Sequence, residues 1–179
     1  TFLSRGAPSR NYGTNTSLQS SRNSSSQITR TILVRFAIFQ SEGGPVPNNA
    51  LIQSAVLGFY KYTSYDHSYK AQRLLKDWDE TAASWNQAAS GVAWTSPGAL
   101  GAGADILAGA DGTGSIGTAA GWLSLDVTAG VQAFAGGTAN YGWHLVEVAG
   151  RATTKKFYSS EYGSNKTLRP KLTVTYAAP

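Results

Sequence analysis

Hydrophobic and polar positions in this chain alternate mostly with the two-residue period of strands. Lys171–Tyr176 shows the pattern most cleanly, with Leu172, Val174 and Tyr176 on an inward face and Lys171, Thr173 and Thr175 on an outward one. Thr31–Phe36 (T-I-L-V-R-F) is β-branched and apolar, the composition of a central strand. Leu51–Tyr62 carries apolar groups on both alternating faces: Leu51, Ala55, Leu57 and Phe59 against Ile52, Val56 and Tyr60. That predicts a strand buried by the core on one side and partly covered on the other. Ser68–Leu75, after a turn at Tyr65-Asp66-His67, joins Tyr141–Val148 and Lys155–Ser160 to complete the predicted strands.

One short helix interrupts this regime. Asp126 or Thr128 is placed to cap it, Val127, Val131 and Phe134 share a face at helical spacing, and Gly136-Gly137 end it. Pro97–Gly121 is rich in Gly and Ala, which predicts a long loop with at most a short strand around Ile106-Leu107; Ser20–Ser26 reads as a polar hinge. No solenoid or propeller repeat is present. Short strands joined by Gly-rich loops around one small helix argue for an all-β fold, an antiparallel β-sandwich of jelly-roll type. The 179 residues fit one domain, spanning 1–176, with 177–179 as the start of a linker or tail.

Composition narrows the class. Charged residues make up only 14% of the chain, and Ser, Thr, Asn and Gly abound, as in secreted or cell-surface β-proteins. There is no Cys, which excludes a disulfide, a thiolate zinc site and a cysteine nucleophile. The lack of any Met, even at position 1, leads to the expectation that the chain is cut from a longer precursor or protein. No apolar run approaches the length of a membrane span, so none is expected. The formal charge of +5 favours anionic partners. Its basic residues are scattered, apart from a local group of Arg151, Lys155 and Lys156, and no recognition helix or RNA-binding signature accompanies them; nucleic acid is not an expected partner.

Trp78–Asn86 (W-D-E-T-A-A-S-W-N) is the least accidental segment. Paired tryptophans in a polar loop mean either a capped core or a sugar-stacking surface. Further segments follow in order: P-x-x-N-Y-G at Pro8–Gly13, R-T-I-L-V-R-F at Arg30–Phe36 and I-x-S-A-x-L at Ile52–Leu57 precede it. W-L-S-L-D-V-T at Trp122–Thr128, V-Q-A-F at Val131–Phe134, N-Y-G-W-H-L at Asn140–Leu145, F-Y-S-S-E at Phe157–Glu161 and R-P-K-L-T-V-T-Y at Arg169–Tyr176 come after it. In this succession the chain resembles the DNRLRE (disaggregatase-related) domain, which overlaps carbohydrate-binding module family 96. The resemblance covers about residue 1 to 176. It implies a non-catalytic β-sandwich of secreted, often multidomain, bacterial and archaeal proteins, some of whose members bind polysaccharide beside carbohydrate-active enzymes such as alginate lyases. The segment after Phe36, A-I-F-Q-S-E-G-G-P-V-P, departs from the family's D-L-S-S-L-P.

Candidate chemistry is sparse. Asp79 and Glu80 are adjacent on a turn, point apart and have no nucleophile beside them, so they read as loop pins. His67 and His144 lack any zinc-ligand spacing, and no G-x-S-x-G elbow occurs. Asp105 and Asp111, flanking a glycine loop, are the hard-oxygen candidates for one structural Ca²⁺. Sugar binding needs exposed rings beside hydrogen-bonding groups, with cations if the glycan is acidic. The family motifs claim Trp78, Trp85, Trp122 and Trp143 for structure. Trp94, Tyr65, Tyr69, Tyr158 and Tyr162 remain. Of these, Trp94, Tyr158 and Tyr162 are grouped with Arg151, Lys155 and Lys156; alternation turns Phe157 inward and Lys156 and Tyr158 outward together. These six residues are the expected ligand site.

Two functional readings stay open. The first is an extracellular module for an acidic polysaccharide; the second is a structural or adhesive module of a surface layer, stalk or filament that self-assembles. Sequons at Asn15, Asn23 and Asn165 fit either. An enzyme is not expected, because no convergent acid, base and nucleophile can be named.

Overall fold

A computed structural model describes residues 1–149 and 152–177, without the side chain of Ala149. In chain order its elements are β1 (Phe2–Ser4), β2 (Ser17–Arg22), β3 (Ile28–Val34), β4 (Leu51–Lys61), β5 (His67–Arg73), β6 (Gln87–Ala89) and β7 (Val92–Ala93). Then come β8 (Gly112–Ile116), β9 (Gly121–Asp126), α1 (Thr128–Ala135), β10 (Trp143–Ala149), β11 (Lys155–Tyr158) and β12 (Lys171–Ala177). All strand pairs are antiparallel. The fold is all-β, as its alternation requires.

Two sheets face each other. The first runs β8-β5-β10-β3, with β1 also on β3; the second sets β9 against one stretch of β4 and β12 against another, with β11 beside Lys61. β2 belongs to both: Ser17–Ser20 pair with β11, while Ser21 and Arg22 pair with β3. At the opposite margin β8 and β9 come so close that a Cβ on Gly112 would sit 1.9 Å from the Asp126 carbonyl oxygen. The sheet is therefore nearly closed into a barrel.

Burial on the inner faces supplies the main core. Phe2, Ile32, Tyr69, Trp143 and Leu145 from the first sheet meet Leu57, Phe59, Leu123, Leu125 and Phe157 from the second. α1 plugs this space with Val131 and Phe134, the latter edge-on to Trp143 at 5.3 Å. Asp126 starts the helix by accepting from the Thr128 amide (2.9 Å) and hydroxyl (2.6 Å), and Gly136-Gly137 end it as expected, with Gly137 at φ 95°.

Some segments differ from the sequence reading. Gly112–Ile116, expected as loop, is a strand on β5, and Ile106 forms only isolated bridges to Leu74 and Ala102. The first part of the expected Ser20–Ser26 hinge, Ser20–Arg22, is the end of β2, and a turn follows from Asn23 to Ser26. In β4 the inward set changes phase: Leu51 is 66% exposed and Ile52 buried, because Gln53 bulges between the Thr175–Ser54 and Tyr176–Ile52 pairs. β12 takes in Ala177.

A second apolar cluster lies on the outer face of the first sheet. Leu3, Leu33 and Leu74, which alternate with inward neighbours, are covered there by Trp78, Ala83, Trp85, Ala88, Trp94, Ala99 and Ile106. The covering segment is the long β5–β8 connection, including the β6–β7 hairpin. Of the two readings of the paired tryptophans, Trp78 and Trp85 thus fit the capped core, over a sheet face. Among the described residues no helix is long and apolar enough to cross a membrane.

Candidate functional site

Among the described residues the outer face of the second sheet has no such cover, and it is built from rings. In β4, Phe59 and Lys61 point inward, so Tyr60 and Tyr62 point out; in β9, Leu123 points inward and Trp122 out; in β11, Phe157 points inward and Tyr158 out. The Tyr60–Trp122 pairing places those rings 5.5 Å apart at 82°. Tyr158 lies nearly parallel to Tyr60 at 6.0 Å and to Tyr62 at 4.6 Å. The turn after β11 brings Tyr162 parallel to Tyr158 at 3.7 Å. The result is a continuous row, Trp122–Tyr60–Tyr158–Tyr162, with Tyr62 branching from Tyr158. All five rings are partly exposed.

Cations border this row. Lys171 Nζ stands 4.0 Å over the Trp122 ring. Lys156 shares the outward face of β11 with Tyr158 and is partly exposed. Arg169 donates through Nε to the Tyr162 carbonyl at 2.8 Å, which pins the turn carrying that ring. The hydrogen bond with Tyr162 is the main cause that pushes the Tyr158 phenol up, so it stays a neutral donor and acceptor. Such a face offers apolar ring surface for the C–H groups of a pyranose and hydroxyls for its polar rim.

The expected ligand residues divide. Tyr158, Tyr162 and Lys156 come together here. Trp94 does not: it is buried at 4% exposure in the cover of the first sheet, and its Nε1–H donates to the Ser84 carbonyl at 2.9 Å. Lys155 is also inside, with Nζ 3.1 Å from Glu147 Oε2, because it shares the inward face of β11 with Phe157. Arg151 lies outside the described residues. Sequence reasoning missed Tyr60, Tyr62, Trp122 and Lys171. The two-residue spacing of Tyr60 and Tyr62 was the available signal, whereas Trp122 was assigned to structure by its motif.

Asp105 and Asp111 serve different neighbours. Asp105 accepts from the amides of Thr95 (2.8 Å), Ser96 (2.8 Å) and Gly101 (3.1 Å) and faces Lys76 at 3.2 Å. Burial pushes its carboxyl up, but those amides and Lys76 outweigh it and hold it below the ordinary range. Asp111 pairs with Arg73 Nε and with Trp143 Nε1–H, both at 2.9 Å. Among the described residues no three His, Cys, Asp or Glu side chains gather as a metal site would need. Asp79 pins its own loop, accepting from the Thr81 amide and hydroxyl at 2.8 Å.

Comparison with curated proteins gave no match. The family model of carbohydrate-binding module family 96 matches residues 1–176, nearly the whole chain. With an outward row of rings on a two-sheet scaffold and this match from end to end, the chain belongs to carbohydrate-binding module family 96.

Proposed function

We propose that the domain is a non-catalytic module that holds an acidic polysaccharide across the outer face of the second sheet, outside the cell. The single observation that carries this reading is the row of partly exposed rings, Trp122–Tyr60–Tyr158–Tyr162, bordered by Lys156 and Lys171. The rings supply stacking surface, and the two lysines give carboxylate-bearing sugars an advantage over neutral ones. The formal charge of +5 supports the same preference, and the Ser/Thr-rich composition supports the extracellular setting.

Exposed charge pairs contribute only about 0–1 kcal/mol each, so rings and lysines act together and affinity is modest. The test is titration calorimetry against polyuronates and neutral glucans of equal length, at low and at physiological salt. Binding of the polyuronate that weakens with salt is expected. Salt-independent binding, or binding of the neutral chains alone, removes the electrostatic half of the reading. A second reading, assembly into a surface layer or filament, draws on the apolar groove beside β12 lined by Phe36, Ile38, Val46, Leu172, Val174 and Tyr176. It takes over if no glycan binds and the purified protein polymerises.

A further inference from the structure

Between the sheets, where β2 passes from one to the other, a set of reactive side chains is sealed from water. Lys155, Glu147, Ser20 and Tyr69 are at most 1% exposed, and the His67 side chain is equally buried. Lys155 Nζ lies 3.1 Å from Glu147 Oε2, and His67 Nε2 lies 2.8 Å from that same oxygen. The other carboxyl oxygen, Oε1, accepts from the Ser20 hydroxyl at 2.8 Å. With the Ser20 proton committed there, the Tyr69 hydroxyl donates to Ser20 Oγ at 3.0 Å.

The tautomer of His67 follows from its neighbours. Nδ1–H donates to the Asp66 carbonyl, which turns Nε2 toward Glu147 Oε2 at 2.8 Å and puts those two atoms within reach of one shared proton. Burial pushes the Lys155 amine down, against the opposing pull of Glu147. One proton passed from the Lys155 ammonium to the Glu147 carboxylate turns this buried contact into the amine and carboxylic acid of an amide condensation.

We propose that Lys155 and Glu147 form an intramolecular isopeptide bond that ties β11 of the second sheet to β10 of the first. The Nζ lone pair attacks Cδ of Glu147, and the carbonyl electron pair moves onto Oε1, where Ser20, backed by Tyr69, holds the charge. His67 takes one proton from the attacking nitrogen and delivers it to the hydroxyl at Oε2. The Cδ–Oε2 bond breaks, one water leaves, and the pair on Oε1 re-forms the carbonyl. Nothing is oxidised, and no cofactor or nucleotide is consumed. Fixing amine and carboxyl in contact supplies the proximity that makes an otherwise slow condensation feasible.

Intact mass spectrometry of the folded protein tests this directly. The expected mass is that of the sequence less one water; the full sequence mass overturns the proposal. Asp111-Gly112 can also lose water by cyclising, so the loss must be located by digestion with chymotrypsin and trypsin. The expected product is Val146–Arg151 joined to Ala152–Lys156, and a loss found in any other peptide is equally fatal. Lys155→Met removes the nucleophile and must show no water loss outside Asp111-Gly112; a loss located at Glu147 in that variant also overturns the bond. His67→Gln should accumulate uncross-linked protein over the same time, and complete cross-linking there would strip His67 of its part in proton transfer.

Discussion

The outer faces of the two sheets use aromatic residues in opposite ways. The first sheet's face carries Leu3, Leu33 and Leu74 and is roofed by Trp78, Trp85 and Trp94 on the β5–β8 connection, whereas the second sheet's face carries its rings itself and leaves them open. The ring nitrogens show what decides the matter. Trp78 Nε1–H donates to the Tyr141 carbonyl at 2.8 Å and Trp94 to Ser84, so these indoles are satisfied indoors. Aromatic residues mark a binding surface only where no chain segment is long enough to fold back over them.

The comparison can be broken most forcefully at the roof. Trp85→Ala should cost about 3–5 kcal/mol of stability, read by denaturant unfolding, with glycan affinity of the folded fraction unchanged. An unshifted, folded Trp85→Ala protein that fails to bind would move the site to the wrong sheet. A smaller effect comes from His144, buried beneath the roof with Nε2 3.2 Å from the Gly98 carbonyl oxygen. Burial pulls its pKa down to about 4, so between about pH 6.5 and 4 the unfolded chain binds a proton that the folded chain does not. Stability should therefore fall on acidification through that window, by up to about 1.4 kcal/mol per pH unit from this group. His144→Gln should flatten that stretch of the stability–pH curve; an unchanged slope refutes the assignment.

The open face should respond the opposite way. Tyr158→Ala removes the ring at the junction of the row and should weaken polyuronate binding by about 0.5–1.5 kcal/mol in calorimetry, with a nearly unchanged melting temperature. Lys156→Ala should cost less, about 0–1 kcal/mol at low salt and little at physiological salt. Loss of stability without loss of binding in Tyr158→Ala would make the two faces equivalent and undo the contrast.

Much of the scaffold was legible in the chain, for reasons that also explain the failures. β12 and the centre of β4 alternate cleanly because one side faces the core. β8 was opaque because Gly112 and Gly114 are there for close approach to β9, and glycines in a row look like loop. β2 hid behind serines whose hydroxyls are bonded within the protein: Ser20 bonds the buried Glu147, and Ser21 bonds the half-buried Thr29 at 2.7 Å. Lys155 belongs to the expected ligand set, although the alternation that turns Phe157 inward turns Lys155 inward too. Lys61 also points inward, with its ammonium held by the Tyr65 and Gly117 carbonyls. Trp94 and Trp122 traded places because motif membership says nothing about which face a loop will cover.

The strand shared by both sheets has a consequence for how the molecule comes into being. β2 lies near the start of the domain, yet its partner β11 and the strand beside β4, β12, are the last of its described strands in chain order. Until those late strands arrive, β4 and β9 hold half a sheet with an unpaired flank, and the space between the layers cannot close. Contacts this distant in sequence make folding slow and strongly concerted. A chain lacking the residues beyond about 150 should thus stay pliable, and set into shape only once β11 and β12 are present.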